Sequence, residues 1–192
     1  MPIQFNLEDL RKEYGCKTYL ETGLYDPRVD VSCKKALLCG FEKIYTIEIR
    51  KDWVDLAHTV FAKDIESGRL SVINDDSFNL SNHISNNNPD FNVERAVFFL
   101  DAHVDNGNIK NYTMMCPLDK ELLSIKSLQR KDHIILVDDV RILITKFPWG
   151  EKSKGDIDFL QMVKNLILDI NPEYRFKFLD GFVEKDVLCA YI

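Results

Sequence analysis

Short β-rich runs and helical patterns take turns along this chain, and that alternation leaves few folds open to it. Strand propensity and patterning predict strands at Lys17–Glu21, Lys43–Ile49, Leu70–Asp75, Ala96–Asp101 and His133–Asp138, with two more at Tyr174–Leu179 and Val187–Tyr191. Between them, Trp53, Leu56, Ala57, Val60 and Phe61 recur at helical spacing. They predict a helix over Asp52–Ser67, capped by Asp52 and stopped by Gly68. Cys33, Ala36 and Leu37 mark a shorter helix ended by Gly40. Leu160, Val163, Leu166, Ile167 and Ile170 mark a longer one ended before Pro172. Helices that join successive strands imply parallel pairing, because a parallel crossover needs about a dozen residues or more. Only residues 180–186 separate the last two strands, too few for a crossover, so these should pair as an antiparallel hairpin. The expected architecture is a three-layer, Rossmann-like α/β fold, with a mostly parallel seven-stranded sheet and a C-terminal antiparallel hairpin. At 192 residues the chain fits a single domain over 1–192, with residues 1–16 as a helical lead-in.

Composition narrows the function classes. Hydrophobic residues make up 45% and charged residues 29%, the balance of a folded globular chain rather than a disordered one. Apolar runs such as those at 96–100 and 134–137 fall far short of the ~20 residues of a membrane span. No basic segment followed by an apolar one opens the chain as a signal peptide does. Membrane insertion is therefore not expected. A net charge of −6 without a basic stripe argues against nucleic acid as the main partner. Five scattered cysteines without a CxxC pair read as thiols of a reducing, cytoplasmic setting, not as a disulfide frame or zinc site.

In parallel α/β sheets, ligands bind beyond the carboxyl ends of the strands, near the point where strand order reverses. Each of the first five predicted strands ends on a carboxylate: Glu21, Glu48, Asp75-Asp76, Asp101 and Asp138-Asp139. Like charges gathered on one edge are costly unless something cationic stands among them.

The acids form two sets. Glu48 ends the second strand, where a nucleotide site of this class places the acid that accepts hydrogen bonds from ribose hydroxyls. Gly23, just past Glu21-Thr22, allows close backbone approach to a ligand. The segment ETGLYDPRVD (21–30) holds one glycine and neither GxGxxG nor GxxxxGK[ST]. A phosphate cradle is thus poorly supported, and an adenosine ligand without phosphates, such as S-adenosyl-L-methionine, fits better. The competing reading of Glu48 is an ordinary exposed acid at a strand end.

The second set is Asp101, Asp138 and Asp139, with His103 and Asp105 beside it. Three carboxylates make a hard, oxygen-rich site suited to Mg²⁺ or Mn²⁺, which could bind a substrate hydroxyl and lower its pKa. His103 is placed to take that proton near neutral pH. The competing reading makes Asp138-Asp139 a cap and His103 a loop residue. His58, His83 and His133 read as structural.

With these residues on the page, the chain resembles the class I S-adenosylmethionine-dependent methyltransferases. It is most similar to the metal-dependent sugar O-methyltransferases of the macrocin and novobiocic-acid type. The resemblance rests on Glu21-Thr22-Gly23, Glu48, Asp76-Ser77, VFFLDAH (97–103) and IILVDD (134–139). It implies Asp101, Asp138 and Asp139 as metal ligands, and His103 as the base with Asp105 second. It also implies cofactor contacts from Glu21, Thr22, Gly23, Ser32, Glu48, Asp75, Asp76, Ser77 and Asp101. The LDAH and VDD pair is also similar to methyltransferase domains in glycan-building enzymes of bacteria and large DNA viruses. That implies a small-molecule or glycan acceptor and is compatible with one domain of a larger glycan-building enzyme. The glycine-poor first loop departs from the family, and the chain is shorter than the antibiotic-tailoring members. The Asp105–Cys116 and Lys146–Gly155 loops, with Trp149, remain to shape an acceptor pocket.

The leading expectation is metal-dependent methyl transfer to a sugar hydroxyl. A catechol-like acceptor uses the same chemistry, and a catalytically silent binding module of a glycan-assembly enzyme is the alternative from another class. A nicotinamide-dependent dehydrogenase is weaker, for want of the glycine fingerprint.

Overall fold

The structure is a computed structural model that describes residues 3–29, 32–85, 88–102, 116–143 and 158–192. Its strands are β1 (Thr18–Thr22), β2 (Lys43–Glu48), β3 (Leu70–Asn74), β4 (Ala96–Leu100), β5 (Ile134–Val137), β6 (Arg175–Leu179) and β7 (Val187–Tyr191). They form one seven-stranded sheet in the order β3-β2-β1-β4-β5-β7-β6. The first five strands pair in parallel, while β7 runs antiparallel to both β5 and β6. The hairpin therefore docks with its second strand inward. The order reverses between β1 and β4, which opens a crevice at their carboxyl ends.

Two helical layers cover the sheet. On one face lie α1 (Leu7–Glu13), α2 (Ser32–Leu38), α3 (Lys51–Val60) and α4 (Ala62–Glu66), packed around Tyr19, Ile44, Phe99 and Leu136. On the other lie α5 (Leu80–His83), α6 (Pro89–Asn92), α7 (Leu118–Ser127), α8 (Val140–Leu143) and α9 (Phe159–Leu168), around Leu20, Phe98, Leu100 and Val137. Because β4 and β5 are covered on both faces, every one of their residues is buried, which is why AVFFL and IILV read as unbroken apolar runs. Caps fix where helices start: the Asn6 side chain accepts the Asp9 N–H at 3.1 Å, and Asp158 accepts the Gln161 N–H at 2.9 Å.

The helix expected over 52–67 is divided. Phe61, at φ −109° and ψ 23°, interrupts it between α3 and α4. Arg50, not Asp52, holds the cap position, and Asp52 sits in the first turn paired with Arg50 at 2.6 Å. The buried stripe is Val54, Ala57 and Phe61, while Val60 is exposed. Both stripes obey helical spacing, and contact with the sheet face selects one of them. The glycine stop is as expected, since Gly68 has φ +71°.

His133 is a core residue. Burial pushes its pKa down to about 4, its Nδ1 accepts the Ala96 N–H at 3.1 Å, and its carbonyl accepts the Tyr174 hydroxyl at 2.7 Å. All five cysteines are free, and four of them are buried. Among the described residues no helix is long and apolar enough to cross a membrane.

Candidate active site

The reversal point is built by Gly23 and Asp101. Gly23 has φ +84°, and a Cβ there would stand 2.7 Å from the Asp101 carbonyl oxygen, so only glycine fits so close an approach. Its N–H donates to the Ile47 carbonyl at 2.8 Å. The Asp101 N–H donates to the Thr22 carbonyl at 3.1 Å and to Thr22 Oγ1 at 3.3 Å. The exits of β1, β2 and β4 are thereby drawn together, with the Thr22 hydroxyl engaged by backbone.

Glu21 lies beneath that floor. It is fully buried on the same face as Tyr19 and receives Tyr19 Oη at 3.1 Å, Thr46 Oγ1 at 2.8 Å and Ser32 Oγ. Burial pushes its pKa up to about 7 despite the three donors. Glu21 and Ser32, both expected at the cofactor, thus bond each other and tie α2 to the sheet under the first loop.

Glu48 is 4% exposed and ends β2. Its Oε2 accepts the Tyr25 N–H at 3.0 Å and its Oε1 accepts the Arg50 N–H at 2.8 Å. Tyr25 reaches this donor position with φ +65°. Burial raises the carboxyl above its ordinary range, and each oxygen keeps further accepting capacity. An aromatic wall stands beside it: the Tyr25 and Trp53 ring centres are 4.7 Å apart, and the Arg50 guanidinium lies 3.7 Å over Trp53.

Beyond β3, Asp75 Oδ1 accepts Asn79 Nδ2 and the Asp76 N–H, both at 2.8 Å, and Oδ2 meets His83 Nε2 at 2.8 Å. The Asn79 bond, helped by His83, holds this carboxyl below its ordinary range. Asp76 caps the 3₁₀ turn Ser77–Asn79 through the Phe78 N–H at 3.0 Å, and Ser77 is buried at the start of that turn.

The second region lies where β4, β5 and the hairpin meet. Leu100 and Val137 are paired, so Asp101 and Asp138 leave adjacent strands side by side, and the Asp138 N–H donates to the Leu100 carbonyl at 3.1 Å. Asp138 Oδ1 accepts the Asp139 N–H at 2.8 Å, and Asp139 adopts φ +59°, a left-handed position that Asp tolerates better than most residues. The structure adds an acid that sequence reasoning missed. Asp186, just before β7, lies with Asp138 and Asp139 so that one carboxylate oxygen from each falls within 4.8 Å of the others, and all three are buried. Asp101 is not part of that tight group.

Among the described residues, Arg141 is the cation that accompanies these acids. Arg141 Nη2 is 2.7 Å from Asp139 Oδ1, and Arg141 Nη1 donates to Asp186 Oδ2. The Arg141 N–H donates to Asp186 Oδ1 at 3.0 Å, and the Val140 N–H to the Asp186 carbonyl at 2.8 Å. Gly181 of the hairpin closes on this group, since a Cβ there would stand 3.2 Å from Asp138 Oδ1. A hairpin whose second strand docks antiparallel on β5 must bring the residue before Val187 to the carboxyl end of β5. His103, Asp105 and Trp149 lie outside the described residues, as do most of the two loops expected to shape an acceptor pocket.

No protein-family model matches the chain, and no curated protein sequence matches it. Solved structures do. An O-methyltransferase from Bacillus cereus in complex with S-adenosylhomocysteine superposes with a TM-score of 0.61 at 15% identity, over 97% of this chain and 78% of its own. An O-methyltransferase from Streptomyces achromogenes involved in tomaymycin synthesis, in complex with S-adenosylmethionine, gives 0.63 at 13% identity, over 97% and 77%. The methyltransferase domain of a bacterial Hen1 gives 0.54 at 12% identity, over 95% and 92%. Together with the strand order and the inward-docked hairpin, these likenesses show that the chain has the fold of the class I S-adenosylmethionine-dependent methyltransferases.

Proposed function

We propose that this protein transfers a methyl group from S-adenosylmethionine to a hydroxyl of a sugar or glycan, at a divalent-metal centre on the exits of β4 and β5. The observation that carries the reading is the gathering of buried acids beside the reversal-point crevice, in a fold whose solved members hold this cofactor or its product. Glu48, with accepting capacity left on both oxygens, suits the ribose hydroxyls, and Gly23 lets the backbone approach the methionine part. Asp76 and Ser77 stand on the adenine side.

Asp138, Asp139 and Asp101 are the residues that would hold Mg²⁺ or Mn²⁺. Asp139 fits that role: it is 8% exposed, and its Oδ1 receives no well-aligned hydrogen bond, the Arg141 contact being one of charge. A bound ion would orient the acceptor hydroxyl and lower its pKa. S-adenosylmethionine, when bound, would supply a methyl group activated by its positively charged sulfur and leave as a neutral thioether once the acceptor oxygen has taken the methyl, and His103, with Asp105 second, would accept the hydroxyl proton.

Labelled S-adenosylmethionine, offered with a panel of sugars, nucleotide sugars, glycans and catechols, tests this in the presence of Mn²⁺ or a chelator. Label entering a sugar and lost on chelation is the expected result. Label entering only catechols would move the acceptor class, and full turnover under chelation would remove the metal. A small-molecule acceptor other than a sugar is the second reading, favoured by the likeness to the enzyme of tomaymycin synthesis.

A further inference from the structure

Arg141 pairs with two of the three clustered acids, and it touches them differently. Toward Asp186 it is anchored, through its own N–H to Oδ1 at 3.0 Å and through Nη1 to Oδ2. Both oxygens of Asp186 are thereby engaged. Toward Asp139 it only leans, with Nη2 at 2.7 Å from Oδ1 but out of line for a hydrogen bond. The Phe182 ring, itself 63% exposed, holds the guanidinium from another side with its centre 5.0 Å from Cζ.

We propose that Arg141 is a resident counter-cation of the acidic turn, which a divalent ion must push aside from Asp139, so that Arg141 sets how tightly the site takes metal. The inference rests on the metal centre proposed above. Three buried carboxylates within 4.8 Å repel one another, and the Arg141 guanidinium offsets part of that repulsion. It also occupies the oxygen that a metal would claim. Its anchor on Asp186 and its contact with Phe182 let it yield Asp139 without leaving the site. Asp186 is accordingly the anchor of the counter-cation and not a third ligand, although its oxygens lie close enough to look like one. Guanidinium and metal share the turn by exchange at one oxygen atom.

The test is Mn²⁺ binding to the full chain, followed by electron paramagnetic resonance of the free ion, with affinity for S-adenosylhomocysteine measured in parallel. Arg141→Gln removes a full charge a few ångströms from the ion and should lower the Mn²⁺ Kd by about tenfold while leaving S-adenosylhomocysteine affinity unchanged. Arg141→Lys keeps the charge and should stay within about threefold of wild type. An unchanged or higher Kd in Arg141→Gln overturns the proposal, and so does a Kd in Arg141→Lys as low as in Arg141→Gln. If Arg141→Gln does not fold, Phe182→Ala loosens the guanidinium from an exposed position. It should lower the Kd by about twofold to fivefold, and an unchanged Kd there also counts against the proposal. The two readings fail separately. Mn²⁺ bound by wild type but no tighter by the variants sinks the role of Arg141 alone. No Mn²⁺ bound by any of them removes the metal centre and this inference with it.

Discussion

The two ends of the crevice treat their acids in opposite ways. Beside β1–β3 each carboxylate is kept apart and held by hydrogen-bond partners: three hydroxyls on Glu21, two backbone N–H groups on Glu48, and an amide, an N–H and an imidazole on Asp75. Beside β5 and the hairpin, three carboxylates crowd together with one guanidinium among them. The first arrangement holds each acid singly by directed hydrogen bonds that shape the loops. The second concentrates charge, while Asp186 also holds the start of α8 through the Val140 and Arg141 N–H groups. Burial alone does not distinguish the two, since Glu21 at 0% and Asp138 at 3% are equally enclosed. What differs is that Asp139 Oδ1 receives no aligned hydrogen bond, whereas both oxygens of Glu21 accept from hydroxyls.

Experiments can press on that contrast. Asp138→Ala and Asp139→Ala should reduce methyl transfer by about a thousandfold, the scale of a lost metal contribution, while S-adenosylhomocysteine still binds. Loss of cofactor binding as well would make these acids struts like the others. Glu48→Ala should weaken S-adenosylhomocysteine binding by about tenfold to a hundredfold, since charge-assisted hydrogen bonds go and two N–H groups lose their acceptor. Calorimetry reads this directly, and unchanged affinity would leave Glu48 with a purely architectural role.

A smaller effect concerns pH. Glu21 has a folded pKa near 7 against an ordinary 4.5, so between those values the native state holds a proton that the unfolded chain has lost, and stability falls as pH rises. His133, near 4 against an ordinary 6.5, does the reverse, and its contribution grows as pH rises through that interval. The two oppose each other from pH 4.5 to 6.5. Glu21→Gln should therefore make stability climb with pH across that window more steeply than in wild type, by about 2 kcal/mol between its ends. Denaturant midpoints at several pH values would reveal it, and parallel curves would show that Glu21 does not titrate there. The smallest effect is expected outside the crevice. Asp52→Ala breaks an exposed pair with Arg50 and should move Tm by less than about 2 °C.

Much of the architecture was legible because strand patterns and crossover lengths are local. All seven strands begin and end within one residue of their expected bounds, and the hairpin could be read from its short connection. The acids at the strand exits were legible for the same reason. Their partners were not. Tyr19, Ser32 and Thr46 belong to three separate segments, and they converge on Glu21 only once β1 and β2 pair with Glu21 opposite Thr46. Asp186 was missed because local pattern reveals that β6 and β7 pair, but not which of them docks on β5. The break at Phe61 escaped for a related reason, since helical spacing is blind to where a helix bends to follow its sheet.

The inward docking of β7 has a consequence for the chain as it is being made. Synthesis delivers Ile134–Val137 well before Val187–Tyr191, so β5 can complete its parallel pairing with β4 while its other side still has no strand to join. For that interval the nascent protein presents four aliphatic residues on an open sheet edge, the sort of template that neighbouring nascent chains can extend. Only the arrival of the last strand closes it. Yield of folded protein should thus depend on how promptly β7 follows β5 out of the ribosome.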